Sequence, residues 1–331
     1  MSIDLRHLDV LLAIAETGSF TAAAERLFTV QSNVSEQVRQ VETELGVPLF
    51  VRGRRGAAPT EFGEVVLRRA RHIRREVAAL RDDVSMLLEL ETGHASLGVV
   101  GTASPWLVPQ LVGELRRRAP GIQLKIEEGP SERLAREVLD DELSVAVITS
   151  QYASDKLAKQ DILEEAFVAV VASDVEVPEP PIPVAWFATQ QLALPPAGNP
   201  VRREVEVAAR NQGVNVAVPI EVEGVRLITD IVRSGRAVTI LPQTAAPLGE
   251  DGVRTFPISG MPPRRLALVR RRGAHLSIAD QTVWDVAVGI MERAVTELGA
   301  EALTDEIDAE LLAPGGSNAG LSDPRSDDPE E

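Results

Sequence analysis

The chain has 331 residues, 44% hydrophobic and 25% charged, with a net charge of −16. That length exceeds one ordinary domain, and the composition is that of a globular protein. No apolar run reaches the roughly 18 residues needed to span a bilayer, so no membrane partner is expected, and the absence of cysteine excludes disulfides, thiolate metal sites and cysteine nucleophiles.

The N-terminus lacks a basic start, and Asp4, Asp9 and Glu16 interrupt its apolar positions, which rejects a signal peptide and predicts a cytoplasmic protein. Leu5, Leu8, Leu11, Leu12 and Ala15 recur at helical spacing, and Gly18 ends that helix. Ser19 is a natural N-cap for an alanine-rich second helix, Thr21 to Leu27. After the turn Phe28-Thr29-Val30, a third helix carries Val34, Val38, Val41 and Leu45 on one face. Its other face presents Gln31, Ser32, Ser35, Glu36, Arg39 and Gln40. Two helices joined by three residues, the second with a polar outer face, form a helix-turn-helix. The second helix braces the third, which offers amides and hydroxyls to base edges of double-stranded operator DNA.

Phe50 to Gly56 reads as a glycine-punctuated hairpin wing, with Arg52, Arg54 and Arg55 placed for phosphates. From Arg52 to Arg75 eight arginines face two acids, a local +6 on an acidic chain. Thr60 starts a long helix with a heptad stripe of Phe62, Val66, Ala70, Ile73, Val77, Leu80, Val84 and Leu87. That is the spacing of a dimeric coiled coil, and a dimer of such domains reads two half-sites.

From Leu97 the order strand, helix, strand, helix, strand predicts a parallel sheet with helices on both faces. A second α/β unit follows from Phe167, including an alternating strand over Val216, Val218, Ile220 and Val222. Leu266 to Val269 and a helix over Ser277 to Leu298 return to the first unit. The predicted domains are residues 1–60, a winged helix-turn-helix; 61–92, a dimerising linker helix; and 93–300, a domain of two α/β units. Within the last, subdomain I is about 93–163 and 266–300, and subdomain II about 164–265. Residues 301–331 carry ten acids against Arg325 and lack apolar periodicity, which predicts a disordered acidic tail.

Ligands of such sheets sit at strand carboxyl ends and helix N-termini. That places Thr102, Ser104, Ser131, Thr149 and Ser150 on one side of a cleft, and Gly198 and Asn199 on the other. Ser104, Ser131 and Asn199 are equally accounted for as helix caps. No nucleotide-binding glycine motif or nucleophile elbow is present, and the four histidines are dispersed, so neither catalysis, a metal nor a cofactor is expected.

The stretches "HLDVLLAIAETGSFTAAAERL", "VQSNVSEQV", "LGVPLF" and "TEFG" resemble the LysR-type transcriptional regulators, and "VRLITDIVRSGRAVTILP" continues the likeness more weakly. The resemblance implies an effector-binding domain over residues 93–300, with an α/β fold of periplasmic-binding-protein type behind the winged domain, and a homodimer or homotetramer that senses a small, often anionic, metabolite. It also implies that Gln31, Ser32 and Ser35 touch bases and that Arg52 and Arg55 lie in the wing. Glu36 departs from a position that is usually basic, and Ser32 from one that is often proline. The alternative reading is a DNA-binding architectural or effector-independent regulator with a vestigial cleft.

Overall fold

A computed structural model of the protein describes residues 3–53, 56–87, 93–247, 249, 251–298 and 301–302. The first helix, α1 (Leu5–Thr17), is capped by Asp4, whose carboxylate accepts from the amides of Arg6 and His7. Gly18 closes it in the left-handed conformation. Ser19 caps α2 (Phe20–Arg26), and α3 (Gln31–Leu45) ends at Gly46. Val34, Val38 and Val41 of α3 are buried with Leu11 and Ile14 of α1 and Ala23 of α2. This small core cannot grow on two helices alone; α1 supplies its third side.

The wing consists of β1 (Phe50–Gly53) and β2 (Gly56–Pro59), antiparallel with Gly53 opposite Gly56. The Ala57 amide donates to the Gly18 carbonyl at 2.7 Å, tying the wing to the end of α1. The linker helix α4 (Glu61–Leu87) starts where the Thr60 hydroxyl accepts from the Gly63 amide. A Cβ at Gly63 would lie 2.1 Å from the Leu49 carbonyl oxygen, so only glycine allows this close entry. Leu67 and Ala70 are buried on its inner face, and Arg74 pairs with Asp9 of α1 at 2.8 Å.

Subdomain I takes shape from β3 (Gly93–Val99), α5 (Ser104–Arg118), β4 (Ile122–Glu128), α6 (Ser131–Leu139), β5 (Val145–Thr149) and β6 (Leu157–Glu165). Subdomain II contains β7 (Phe167–Ala172), β8 (Ile182–Pro183), β9 (Ala193–Leu194), α7 (Pro200–Asn211), β10 (Ile220–Glu221), α8 (Val225–Arg233), β11 (Thr239–Pro242) and β12 (Val253–Ser259). The chain returns through β13 (Arg264–Arg271), α9 (Ile278–Leu298) and β14 (Glu301–Ala302).

The first sheet has the order β14-β6-β13-β5-β3-β4. Its β3, β4 and β5 are parallel, as right-handed crossovers through α5 and α6 require, whereas β13 runs antiparallel to both β5 and β6. The sheet is therefore mixed rather than wholly parallel. The second sheet, β11-β7-β12-β8, is antiparallel except for the β12–β8 pair. Of the expected strand from Val216 to Val222, only Ile220–Glu221 is a strand, parallel to β9. Pro219 has no amide proton to extend the ladder, while Val216 and Val218 pack on the subdomain core as loop. At the other end, Glu301 and Ala302, expected within the acidic tail, pair with Glu164 and Leu163 of β6. Residues 303–331 lie outside the described residues.

Candidate functional site

The polar face of α3 is built from local pairs. The Gln31 amide donates to the Ser35 hydroxyl at 2.7 Å, one helical turn apart. Arg39 donates to the Glu36 carboxylate at 3.1 and 2.6 Å, and the Gln40 amide donates to its other oxygen at 3.1 Å. These two donors, Gln40 first, hold the Glu36 carboxyl below the usual carboxylate range. Gln31, Ser32 and Arg39 are exposed, while Ser35 and Glu36 are half-buried. The five residues therefore share one accessible surface opposite the valine core. Arg54 and Arg55 lie outside the described residues, and of Arg52 only the backbone, within β1, is described.

On α4, Phe62, Val65, Ile73, Leu80 and Val84 are exposed large apolar residues, and Val66 and Val77 are half-buried. Leu87 ends the helix, and its side chain is outside the described set. The opposite face docks on subdomain I. The half-buried Arg75 guanidinium donates to the carbonyls of Leu143 (2.7 Å) and Asp141, and the His94 amide donates to Asp82 at 3.0 Å. The Asp141 carboxylate also accepts from Arg271 at 3.0 Å.

Between the subdomains lies a cleft of about 470 Å³. Thr102, Ser131 and Thr149 line it from subdomain I, at the carboxyl ends of β3, β4 and β5. Gly198 and Asn199 line it from subdomain II, at the N-terminus of α7. Ser104 and Ser150 are not among the lining residues. Ser104 is the first residue of α5 and makes no cap bond, and the Ser150 hydroxyl accepts from Lys159. Ser131 is not a cap either, because its hydroxyl accepts from the Thr149 amide at 3.0 Å, linking β5 to α6. Asn199 does cap α7, accepting from the Val201 amide.

Among the lining residues not expected from the sequence, Arg264 is the buried cation. Arg264, almost fully buried, donates to the Thr102 hydroxyl at 2.7 Å and to Glu165 at 2.7 and 2.8 Å. The second Glu165 oxygen accepts from the Thr244 amide at 2.9 Å. The only sequence signal was a charged pair, Arg264-Arg265, opening an apolar strand, which put one arginine on the inner side. At the cleft edge, Arg203 of α7 pairs with Glu132 of α6 at 3.0 Å, and Gln151 donates to Glu204 at 3.1 Å. Burial pushes the Glu204 carboxyl above its ordinary value, more than the charge of Arg264 pulls it down.

Two family models divide the chain at the linker helix. Residues 5–64 match the bacterial regulatory helix-turn-helix protein, lysR family, and residues 89–291 match the LysR substrate binding domain. The chain belongs to the LysR family of transcriptional regulators. It is 27% identical over 289 residues to the uncharacterised regulator YfeR of Shigella flexneri, covering 86% of this chain and 94% of that one. It is 26% identical to the dual regulator OxyR of Escherichia coli, covering 83% and 91%. Its fold matches a full-length OxyR variant from Pseudomonas aeruginosa with a TM-score of 0.65 at 22% identity, over 88% and 98% of the two chains. It matches full-length CbnR complexed with its target DNA with a TM-score of 0.61 at 19% identity, over 88% and 100%.

This LysR-family chain is thus a DNA-binding transcriptional regulator with an effector-binding domain. Among the described residues no helix is long and apolar enough to cross a membrane, and no group of acids and histidines could hold a metal ion.

Proposed function

We propose that the chain works in the cytoplasm as a homodimer, or a pair of dimers, that reads two half-sites and senses a small anion rather than catalysing a reaction. Gln31, Ser32 and Ser35 read bases, Arg39 and the wing arginines Arg52, Arg54 and Arg55 hold phosphates, and Glu36 filters wrong sites by repulsion. Phe62, Val66, Ile73, Val77, Leu80, Val84 and Leu87 form the dimer seam, supported by the exposed apolar stripe on α4.

The carrying observation for the effector is the composition of the cleft. Its floor combines the Arg264 guanidinium, already paired with Glu165, with the Thr102 hydroxyl, flanked by Ser131 and Thr149; its far wall is the N-terminus of α7 at Asn199, and Arg133, Glu128, Glu132 and Glu223 complete its charged lining. Cation, hydroxyls and a helix N-terminus together suit an anion held reversibly. Thermal melts with a panel of small carboxylates and phosphates test this. One member should stabilise the wild type, and Thr102→Val should show no shift from its own unliganded melting temperature, which itself falls because the buried Arg264 guanidinium loses an acceptor.

The ties across the cleft edge, Glu132–Arg203 and Gln151–Glu204, favour a second reading in which the subdomains are held together without an effector. A full panel with no shift, alongside intact DNA binding, would select that effector-independent regulator.

A further inference from the structure

Phe28 carries two costs that nothing among the described residues offsets. It stands in the turn between α2 and α3 with 99% of its surface exposed, and its backbone is left-handed, with φ 53°. Leaving a phenylalanine side chain in water forgoes the free energy of burying it. Holding a bulky residue in the left-handed region adds backbone strain, where glycine or asparagine would sit more easily. The turn leaves no freedom to escape: the Phe28 amide donates to the Glu25 carbonyl at 3.1 Å, and the Thr29 amide to the Ala24 carbonyl at 2.9 Å. The ring is therefore held outward.

Its neighbour repeats the pattern. Val30 occupies the N-cap of α3, where serine, threonine or aspartate would bond the free amides, and it makes no cap bond and is 64% exposed. Both residues lie within the three positions before Gln31, at the end of α3 that enters the groove first. A phosphate would gain nothing from a phenyl ring. The apolar group that DNA displays in its major groove is the 5-methyl of thymine.

We propose that Phe28 is a specificity-determining DNA contact whose ring packs on a thymine methyl group, with Val30 beside it. This rests on the established DNA binding of the winged domain and adds an apolar reader to the polar face of α3.

The test uses the full-length protein, a duplex that the wild type enriches from a random pool, and a scrambled duplex. Phe28→Asn fits the left-handed turn, so the melting temperature stays level or rises. Affinity for the enriched duplex falls roughly five- to hundredfold, with little change on the scrambled one. Phe28→Leu, which keeps an apolar side chain, retains more of the affinity than Phe28→Asn. Replacing thymines one at a time by uracil removes only the methyl. At one position per half-site the wild type weakens severalfold, while Phe28→Asn is indifferent. Unchanged affinity in Phe28→Asn, equal losses on both duplexes, or no thymine coupled to residue 28 would overturn the proposal. A Phe28→Asn chain that sediments at lower mass would overturn it too, by making Phe28 a contact between copies.

Discussion

Glu165 and Arg264 are the last residue of β6 and the first of β13, paired directly across the ladder with their charges 2.7 Å apart. Those two strand ends are where the chain leaves subdomain I and where it returns, so the pair staples both crossings at the cleft floor. The Thr244 amide binds Glu165 from the subdomain II side, and Thr102 receives Arg264 from the subdomain I side. Any change in subdomain angle must pass through this cluster.

Removing one partner leaves the other charge buried and uncompensated. Arg264→Leu is expected to cost about 3–5 kcal/mol in denaturant unfolding, and the Glu165→Leu/Arg264→Leu double variant should recover most of it. A single-variant loss below about 1 kcal/mol would mean that water reaches Glu165.

Glu204 sets a pH dependence of opposite sign to an ordinary paired carboxylate. One of its oxygens is buried without a hydrogen bond among the described residues, and burial raises its proton affinity in the folded chain. The folded state therefore binds that proton more tightly than the unfolded state. The cost of the charged form is full at neutral pH, falls as pH drops through the raised value, and vanishes below the ordinary one. Glu204→Gln should melt above the wild type at neutral pH, and the difference should close near about pH 4. A pH-independent difference would assign the effect to packing.

In the single chain Ile73 is 43% and Leu80 65% exposed, so a charge at either position leaves the protomer folded. In a coiled-coil dimer the same charge is buried and costs several kcal/mol. Ile73→Asp and Leu80→Asp are expected to sediment at lower mass with near-native circular dichroism, and to lose cooperative DNA binding. Unchanged mass would place the seam elsewhere.

Gln31 and Glu36 should behave oppositely. Gln31→Ala is expected to lose about 1–3 kcal/mol on an enriched duplex and little on a scrambled one. Glu36→Ala frees Arg39 from its ion pair for a phosphate, so affinity should rise on both duplexes, with a steeper salt dependence. A loss of affinity confined to the enriched duplex would instead make Glu36 a reader of cytosine.

Truncation can separate the acidic tail from the strand it follows. Ending the chain after Ala302 should leave the melting temperature level, whereas ending it after Leu298 removes β14 from the edge of β6 and costs about 1 kcal/mol. Equal melts for both would show that β14 adds nothing to stability.

The winged domain was legible because its signals are local. The Ser19 and Thr60 caps, the terminators Gly18 and Gly46, and the valine spacing of α3 all act within a few residues. Most effector-domain helices were legible for the same reason. β6 and β12 were not, since the polar residues of "LAKQDILEE" and the proline of "VRTFPIS" mask their alternation. The direction of β13, the short β10, and the true bonds of Ser131 and Ser150 depended on partners the local sequence does not name. The cleft floor shows the limit most clearly. Arg264 meets Glu165 across 99 positions and Thr102 across 162, and only the packing of two strand crossings selects which of many arginines is buried there. Local hydrogen bonds and periodicity determine elements; burial of charge is decided when those elements close on one another.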